Sequence, residues 1–326
     1  MSKLSLAAMR TLCPFFLMAL AAAAVAQQPY PNKPIRLVSP NPPGGGTSII
    51  GRLVGQRLSD SWGQQVLLDN RPGGNGFIGG EFVAKSPPDG HTIMVITSTF
   101  IITPSLYTPP YDPIKDFAAV ATLTKSELVL VLHPSIPAKN LREFIALVKS
   151  KPGQLNYGSS GVGAMTRLAG AYFDMMTGTK MQNISYKGTG QAMTDLLGGQ
   201  VELGFLVPPP AIPHIVGGKL KALAVSGASR LSALPQVPTF TEAGLPGFDV
   251  SAWYGVVAPR GTPKAIINKL SAEIAKILAM PDIKEKIAAQ GMDTFISTPE
   301  QFAPMMKEDM AKYAKIIKEA NIRTDE

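Results

Sequence analysis

Ile35-Arg36-Leu37-Val38-Ser39-Pro40-Asn41-Pro42-Pro43-Gly44-Gly45-Gly46-Thr47-Ser48 is the stretch on which the fold turns. The apolar run at its start reads as a strand, and three consecutive glycines, none with a Cβ, make the turn behind it. From Ile49 to Leu58 the residues Ile50, Leu53, Val54 and Leu58 recur at helical spacing, so the turn opens a helix. A strand, a glycine-rich turn and a helix N-terminus together aim backbone N–H groups and the positive end of a helix dipole at one spot. Such a cradle suits an anion.

Two later turns repeat the device. Gly158-Ser159-Ser160-Gly161-Val162-Gly163 follows the short strand Leu155-Asn156-Tyr157 and precedes a helix at Met165–Met176, and Lys187-Gly188-Thr189-Gly190 opens a helix at Gln191. Strand and helix patterns alternate along the chain. Strands are expected at Ile35–Ser39, Gln65–Asp69, Thr92–Thr97, Leu128–Leu132, Leu155–Tyr157, Gln182–Ser185, Leu203–Phe205, Ala222–Ser226 and Trp253–Ala258. Helices are expected at Ile49–Ser61, Gly76–Lys85, Leu141–Lys149, Thr166–Thr177, Gln191–Gly198, Lys264–Ala279, Asp282–Gln290 and Pro299–Ala320. This alternation is the mark of an α/β fold. In the C-terminal part, Thr262-Pro263 and Thr298-Pro299-Glu300 each read as an N-cap followed by a first-turn proline. About 300 residues exceed what one core usually serves, so two lobes are expected. Two lobes that each offer a helix N-terminus to a shared cleft would close on an anion about a hinge.

Residues 1–26 read as a secretory leader: Lys3 and Arg10 are the positive start, Leu12–Ala24 the apolar stretch, and Ala24-Val25-Ala26 the cleavage pattern. The expected location is therefore the periplasm. The only cysteine, Cys13, lies inside that leader, which leaves the mature chain without a disulfide or thiolate metal site. Loss of Lys3 and Arg10 takes the formal charge from +8 to +6, a weak long-range bias toward anionic ligands. The densest basic group, Lys307, Lys312, Lys315 and Lys318, alternates with Glu308, Asp309 and Glu319 and reads as a solvated helix face. Nucleic acid is not expected as a partner.

Catalysis finds little support. His91, His133 and His214 each sit beside Pro or Gly and share no metal-ligand spacing. Ser160 lacks the glycine a nucleophile elbow needs two residues on, where Val162 stands. Gly74-Asn75-Gly76-Phe77-Ile78-Gly79 matches a dinucleotide fingerprint, yet the acid expected at the end of the next strand is missing from Thr92-Ile93-Met94-Val95-Ile96. Asp69, Asp89, Asp112 and Asp116 occupy turn contexts. No cofactor and no metal are expected.

A longer set of ordered landmarks carries a resemblance. Tyr30-Pro31-Asn32-Lys33-Pro34-Ile35, Pro43-Gly44-Gly45-Gly46-Thr47, Asn70-Arg71-Pro72-Gly73-Gly74, Pro88-Asp89-Gly90, Tyr111-Asp112-Pro113 and Gly198-Gly199-Gln200-Val201 come first. Gly217-Gly218-Lys219-Leu220, Pro235-Gln236-Val237-Pro238-Thr239, Glu242-Ala243-Gly244 and Ala258-Pro259-Arg260-Gly261-Thr262-Pro263 follow. Over essentially the whole mature chain the sequence resembles the periplasmic substrate-binding proteins of tripartite tricarboxylate transporters, the Bug family. The resemblance implies a two-lobed periplasmic-binding fold, with lobe 1 at 27–125 and 226–326 and lobe 2 at 126–225. It implies a carboxylate held by backbone groups and waters of two loops, Asn41–Ser48 and Ser159–Thr166, and delivered to membrane permease subunits by a monomeric receptor.

The expected ligand-binding residues are Asn41, Pro42, Gly45, Gly46, Thr47 and Ser48 from the first loop, with Thr97 and Ser98 beside it. Ser159, Ser160, Gly161, Gly163, Ala164, Met165 and Thr166 come from the second loop, and Tyr186, Gly188, Thr189 and Leu206 from its surroundings. The chain departs from relatives at several of these. Asn41 stands where an aromatic residue is common, Ser48 where Asp is common, and Arg167 where a histidine is common. Leu206 stands where relatives often have Asp, an acid that can meet a ligand ammonium. Its loss disfavours zwitterions, because an ammonium buried without a partner is costly. The expected ligand is thus a di-, tri- or aromatic carboxylate. Arg167 has two readings, a fork for a distal carboxylate or an exposed guanidinium, and Leu206 has two, a pocket wall or ordinary packing. The alternatives for the whole chain are a periplasmic sensor for a signalling receptor, or a hydrolase or transferase on the same scaffold.

Overall fold

The computed structural model describes residues 30–324 apart from 42, 44, 45, 162 and 187, and leaves aside the side chains of 75 and 209. The expected leader and the candidate site residues Pro42 and Gly45 lie outside the described residues. The chain opens with strand β1 (Ile35–Ser39), helix α1 (Gly46–Trp62), β2 (Val66–Asn70), α2 (Phe77–Ala84), β3 (Thr92–Thr97), the short α3 (Thr99–Ile102) and β4 (Phe117–Glu127). It continues through β5 (Val129–Leu132), α4 (Leu141–Ser150), β6 (Asn156–Ser159), α5 (Met165–Thr177), β7 (Gln182–Ser185), α6 (Thr189–Leu197), β8 (Leu203–Leu206), α7 (Pro208–Val216) and β9 (Lys221–Val225). It closes with β10 (Ser251–Pro259), α8 (Lys264–Ala279), α9 (Pro281–Ala288), β11 (Asp293–Thr294) and α10 (Pro299–Glu319).

These strands form two sheets, ordered β11-β4-β10-β3-β1-β2 and β7-β6-β8-β5-β9. In the first, β1 runs parallel to β2 and β3, and β10 antiparallel to β3 and β4. In the second, β6 runs parallel to β7 and β8, and β5 antiparallel to β8 and β9. Each sheet with its helices forms a lobe. One face of the first sheet packs Ile35, Leu37, Ile93 and Val95 against Ile50, Val54 and Leu58 of α1 and Ile274 and Ile277 of α8. One face of the second packs Val129 and Val131 against Met193 and Leu196 of α6. The remaining faces share a cluster that joins Val38, Met94 and Ile96 to Leu130, Phe173, Phe205 and Tyr313. Alternation along β5, with Leu128, Leu130 and Leu132 on the shared side and Val129 and Val131 on the other, follows from the two-residue period of a strand buried on both faces.

Several local expectations are corrected. Helix α1 starts at Gly46, three residues before the apolar periodicity begins, so Thr47 and Ser48 lie in its first turn. The eleven-residue β4 was hidden by its small and polar residues, because Thr122 and Thr124 are fully buried beneath neighbouring strands and hydrogen-bonded there. Helix α7 begins with three prolines, which the first turn tolerates because its N–H groups have no intrahelical acceptor. At α10, Thr298 makes the expected cap, accepting from Gln301 N–H while the Gln301 side chain returns to Thr298 N–H. Thr262 does not, since its hydroxyl donates to Pro259 O (2.8 Å) and Pro263 takes the cap position of α8. Asp309 leaves the charged face of α10 and accepts from Trp253 Nε1 at 2.7 Å.

The chain passes between the sheets at Glu127–Leu128 and again between β9 and β10. Ser226 ties the two passages together. Its N–H donates to Leu128 O (2.9 Å), and its buried hydroxyl accepts from Leu128 N–H (2.9 Å) and donates to Val250 O. Ser226→Ala orphans the Leu128 N–H and is expected to cost about 2 kcal/mol, read as a lower urea midpoint at unchanged slope.

A second expectation concerns Asp309, whose pKa burial raises above the ordinary carboxylate value, partly offset by the Trp253 bond. A carboxyl raised on folding contributes stability below about pH 4, and that contribution is lost as the pH climbs through its folded-state pKa. The stability of the unsubstituted chain relative to Asp309→Asn should accordingly fall as the pH rises from 4 to 7, measured by paired melting curves.

Candidate functional site

Ligand sites on open α/β sheets form at the carboxyl ends of the strands, where the strand order reverses. In the first sheet, α1 carries the chain from β1 to β2 on one side, and α2 then returns it to β3 on the other. The reversal leaves a crevice between Ser39, which ends β1, and Thr97, which ends β3. In the second sheet β7 and β8 flank β6 in the same manner, and the crevice opens at Ser159 and Leu206.

The first crevice is bolted by hydroxyls. Ser39 Oγ lies 2.7 Å from Thr47 Oγ1 and 3.3 Å from Ser48 Oγ, all buried beneath the start of α1. Asn41 Nδ2 donates to Thr47 Oγ1 (3.2 Å), and Asn70 Nδ2 donates to Asn41 O (2.9 Å) and Ser48 Oγ (2.5 Å). These bonds tie Asn41 and the first turn of α1 to the ends of β1 and β2. Gly46 is required here, since a Cβ would overlap the hydroxyl of Tyr254. Thr97 Oγ1 accepts from Thr99 N–H (3.2 Å), and Ser98 donates its N–H to Trp253 O (3.0 Å).

In the second crevice Thr166 fills the corresponding role. Its Oγ1 accepts from Ser160 N–H (3.0 Å) and lies 3.1 Å from Ser160 Oγ. Gly161 accepts from Ala164 N–H at 3.1 Å and adopts φ +147°, open to glycine. The N-cap of α5 is Ala164, which supplies no side-chain acceptor, and α6 begins at Gly188, likewise without one. The first N–H groups of a helix have no partner inside it. Here the side chains do not supply one, in contrast to Asn140 at α4 and Thr298 at α10. Tyr186 holds the neighbouring turn through its N–H to Ser159 O (2.9 Å) and its hydroxyl to Asp195 Oδ2 (2.7 Å). The lobes meet where Gly163 approaches Leu106: a Cβ on Gly163 would lie 3.4 Å from Leu106 Cδ1.

The fold thus gathers Asn41, Gly46, Thr47, Ser48, Thr97 and Ser98 at one crevice, and Ser159, Ser160, Gly161, Ala164, Thr166 and Tyr186 at the other, with Gly188 and Thr189 opening α6 nearby. Gly163 stands between the two. The side chains of Met165 and Leu206 go elsewhere. Leu206 is 2% exposed among Val129, Val131, Met193 and Val201, so it packs the second lobe rather than walling a pocket. Met165 joins the shared core. Arg167 fits neither of its readings: it is 4% exposed, and Nη1 donates to Arg323 O (3.2 Å) in the segment after α10.

The sequence reading missed Ser39, Asn70 and Tyr254. Asn70 stood in a quoted landmark but read as a plain turn, and nothing local marks Tyr254, which is 208 residues from Gly46 in the chain. The fingerprint glycines have a packing role, because a Cβ on Gly79 would crowd Arg71 O and Pro40. Among the described residues, no group of three or more His, Cys, Asp or Glu could hold a metal ion, and no helix is long and apolar enough to cross a membrane.

Comparison with known proteins agrees with this architecture. The family model described as "Tripartite tricarboxylate transporter family receptor" matches residues 50–322. Protein BugT of Bordetella pertussis is 35% identical over 308 residues, covering 93% of this chain and 94% of that protein. Among solved structures, Rhodopseudomonas palustris Rpa4515 with adipate superposes at a TM-score of 0.80 with 32% identity, over 90% of this chain and 99% of that one. MatC from the same organism, with bound malate, gives 0.75 and 30%, over 88% and 100%. The family is one of solute-binding receptors and not of enzymes. With its two sheets and paired crevices, the chain belongs to the tripartite tricarboxylate transporter receptor family, the Bug proteins.

Proposed function

We propose that this receptor captures a dicarboxylate in the periplasm between its two strand-end crevices and delivers it, as a monomer, to membrane permease subunits. The observation that carries the reading is that α1 and α5 both begin at a strand carboxyl end beside a glycine turn, and α5 does so with alanine at its cap. Backbone N–H donation and two helix dipoles then hold the ligand's carboxylate oxygens. Waters between the hydroxyl-lined loops allow ligands of differing length. The adipate and malate bound by two relatives are both dicarboxylates, which supports the choice. The side chains gathered at the two strand ends, Ser39, Thr47, Ser48, Ser160 and Thr166, are hydroxyls, so a ligand ammonium meets no counter-charge among them.

Melting curves with malate, adipate, citrate, phthalate, aspartate and glutamate test the proposal. At a hundredfold excess over Kd a bound carboxylate adds about 2.7 kcal/mol, or roughly 5 °C or more in Tm. Dicarboxylates are expected to give that shift and the two amino acids to give none. No shift with any carboxylate, together with no retained ligand in native mass spectrometry, would falsify the reading. Two substitutions probe the loops. Gly46→Ala forces Tyr254 aside and should weaken dicarboxylate binding at least tenfold while costing about 1–3 kcal/mol in stability. Thr166→Ala removes the anchor of the second turn and should weaken binding about tenfold by calorimetry, since its bond to Ser160 N–H is lost.

A further inference from the structure

Tyr254 sits in the first crevice through long-range strand pairing alone. On β10 it lies directly opposite Thr97, the last residue of β3, and so at the carboxyl end of the parallel strands. Its ring is partly buried against the cluster that carries Ile50 and Leu58 of α1, on the face where Ser39 and Thr47 meet. Its hydroxyl abuts the α-carbon of Gly46, where α1 begins.

That hydroxyl makes no hydrogen bond to any described residue. The same is true of Ser98 Oγ, on a side chain only 1% exposed, whose backbone N–H bonds the residue just before Tyr254. Both hydroxyls therefore keep their hydrogen-bonding capacity at the end of β3 and across from it on β10. Ordinary packing does not explain why a tyrosine rather than a phenylalanine stands here. The close approach to Gly46 aims the phenol at the first turn of α1.

We propose that the Tyr254 hydroxyl donates a hydrogen bond to the ligand carboxylate seated on the first turn of α1, making Tyr254 a specificity-determining residue. The assignment rests on the carboxylate reading given above. A carboxylate has two oxygens and about four acceptor positions. The α1 amides take those on one side, and the phenol approaches from the β10 side. Burial raises the Tyr254 pKa above its usual value, which keeps the phenol a protonated donor at neutral pH. Because amides and phenol are all neutral donors, this end of the site recognises a carboxylate by geometry and not by a formal counter-charge.

Tyr254→Phe tests the proposal, with malate and adipate as probes in titration calorimetry on the full mature chain. Phenylalanine keeps the ring and removes a hydroxyl that bonds no described residue, so the ligand-free Tm should stay within about 2 °C. A hydrogen bond to a charged group is worth about 1.5–3 kcal/mol, so Kd should rise about 10- to 100-fold. An unchanged Kd for both dicarboxylates overturns the assignment and leaves the receptor reading intact. A large drop in the ligand-free Tm also overturns it, by showing the hydroxyl to be structural. If the unsubstituted protein binds neither probe nor any other carboxylate of the panel, the receptor reading itself fails, and the Tyr254 assignment with it.

Discussion

A helix begins with amide groups that its own backbone cannot satisfy. A side chain can answer them, as Asn140 and Thr298 do in this protein. At α5 the cap position is an alanine, and at α1 the nearby hydroxyls of Ser39, Thr47 and Ser48 are engaged with one another and with Asn41 and Asn70. Glycine turns, buried hydroxyl bolts and the reversal of strand order all serve to bring such helix starts to strand ends without covering them.

The arrangement places the demand for rigidity in the loops and the freedom to move at the passages between sheets. The hydroxyl bonds tie Ser39, Asn41 and Asn70 to the first turn of α1, and Thr166 to Ser160. Between the lobes, by contrast, the covalent connections reduce to Glu127–Leu128 and the chain from Ser226 to Val250, joined through one serine. Few dihedrals need to change at those passages for the crevices to approach one another, as hinge closure requires.

Much of this was legible in the chain, and the misses share a cause. Periodicity marked α8 at its observed bounds and located α10, because long amphipathic helices report their buried face directly. The glycine turns identified both loops. β4 went unread because its burial depends on partners more than 120 residues away, which convert Thr122 and Thr124 from surface-like residues into core. Arg167 went unread for the same reason: a guanidinium looks like a surface or ligand group until the segment after α10 is known to cover it. Tyr254 is the sharpest case. Its position depends on β10 pairing with β3, an antiparallel strand added to the parallel set after the chain has built the whole second lobe.

Helix α10 has a mechanical consequence of its own. It lies across both lobes, with Phe302 against Trp253 and Gly255 of the first sheet, Tyr313 and Ile317 in the shared core, and its trailing segment on Arg167 of α5. Twenty-one residues of helix span about 31 Å and do not stretch. A rod of that kind sets how far apart the two jaws can stand, as the beam of a calliper does.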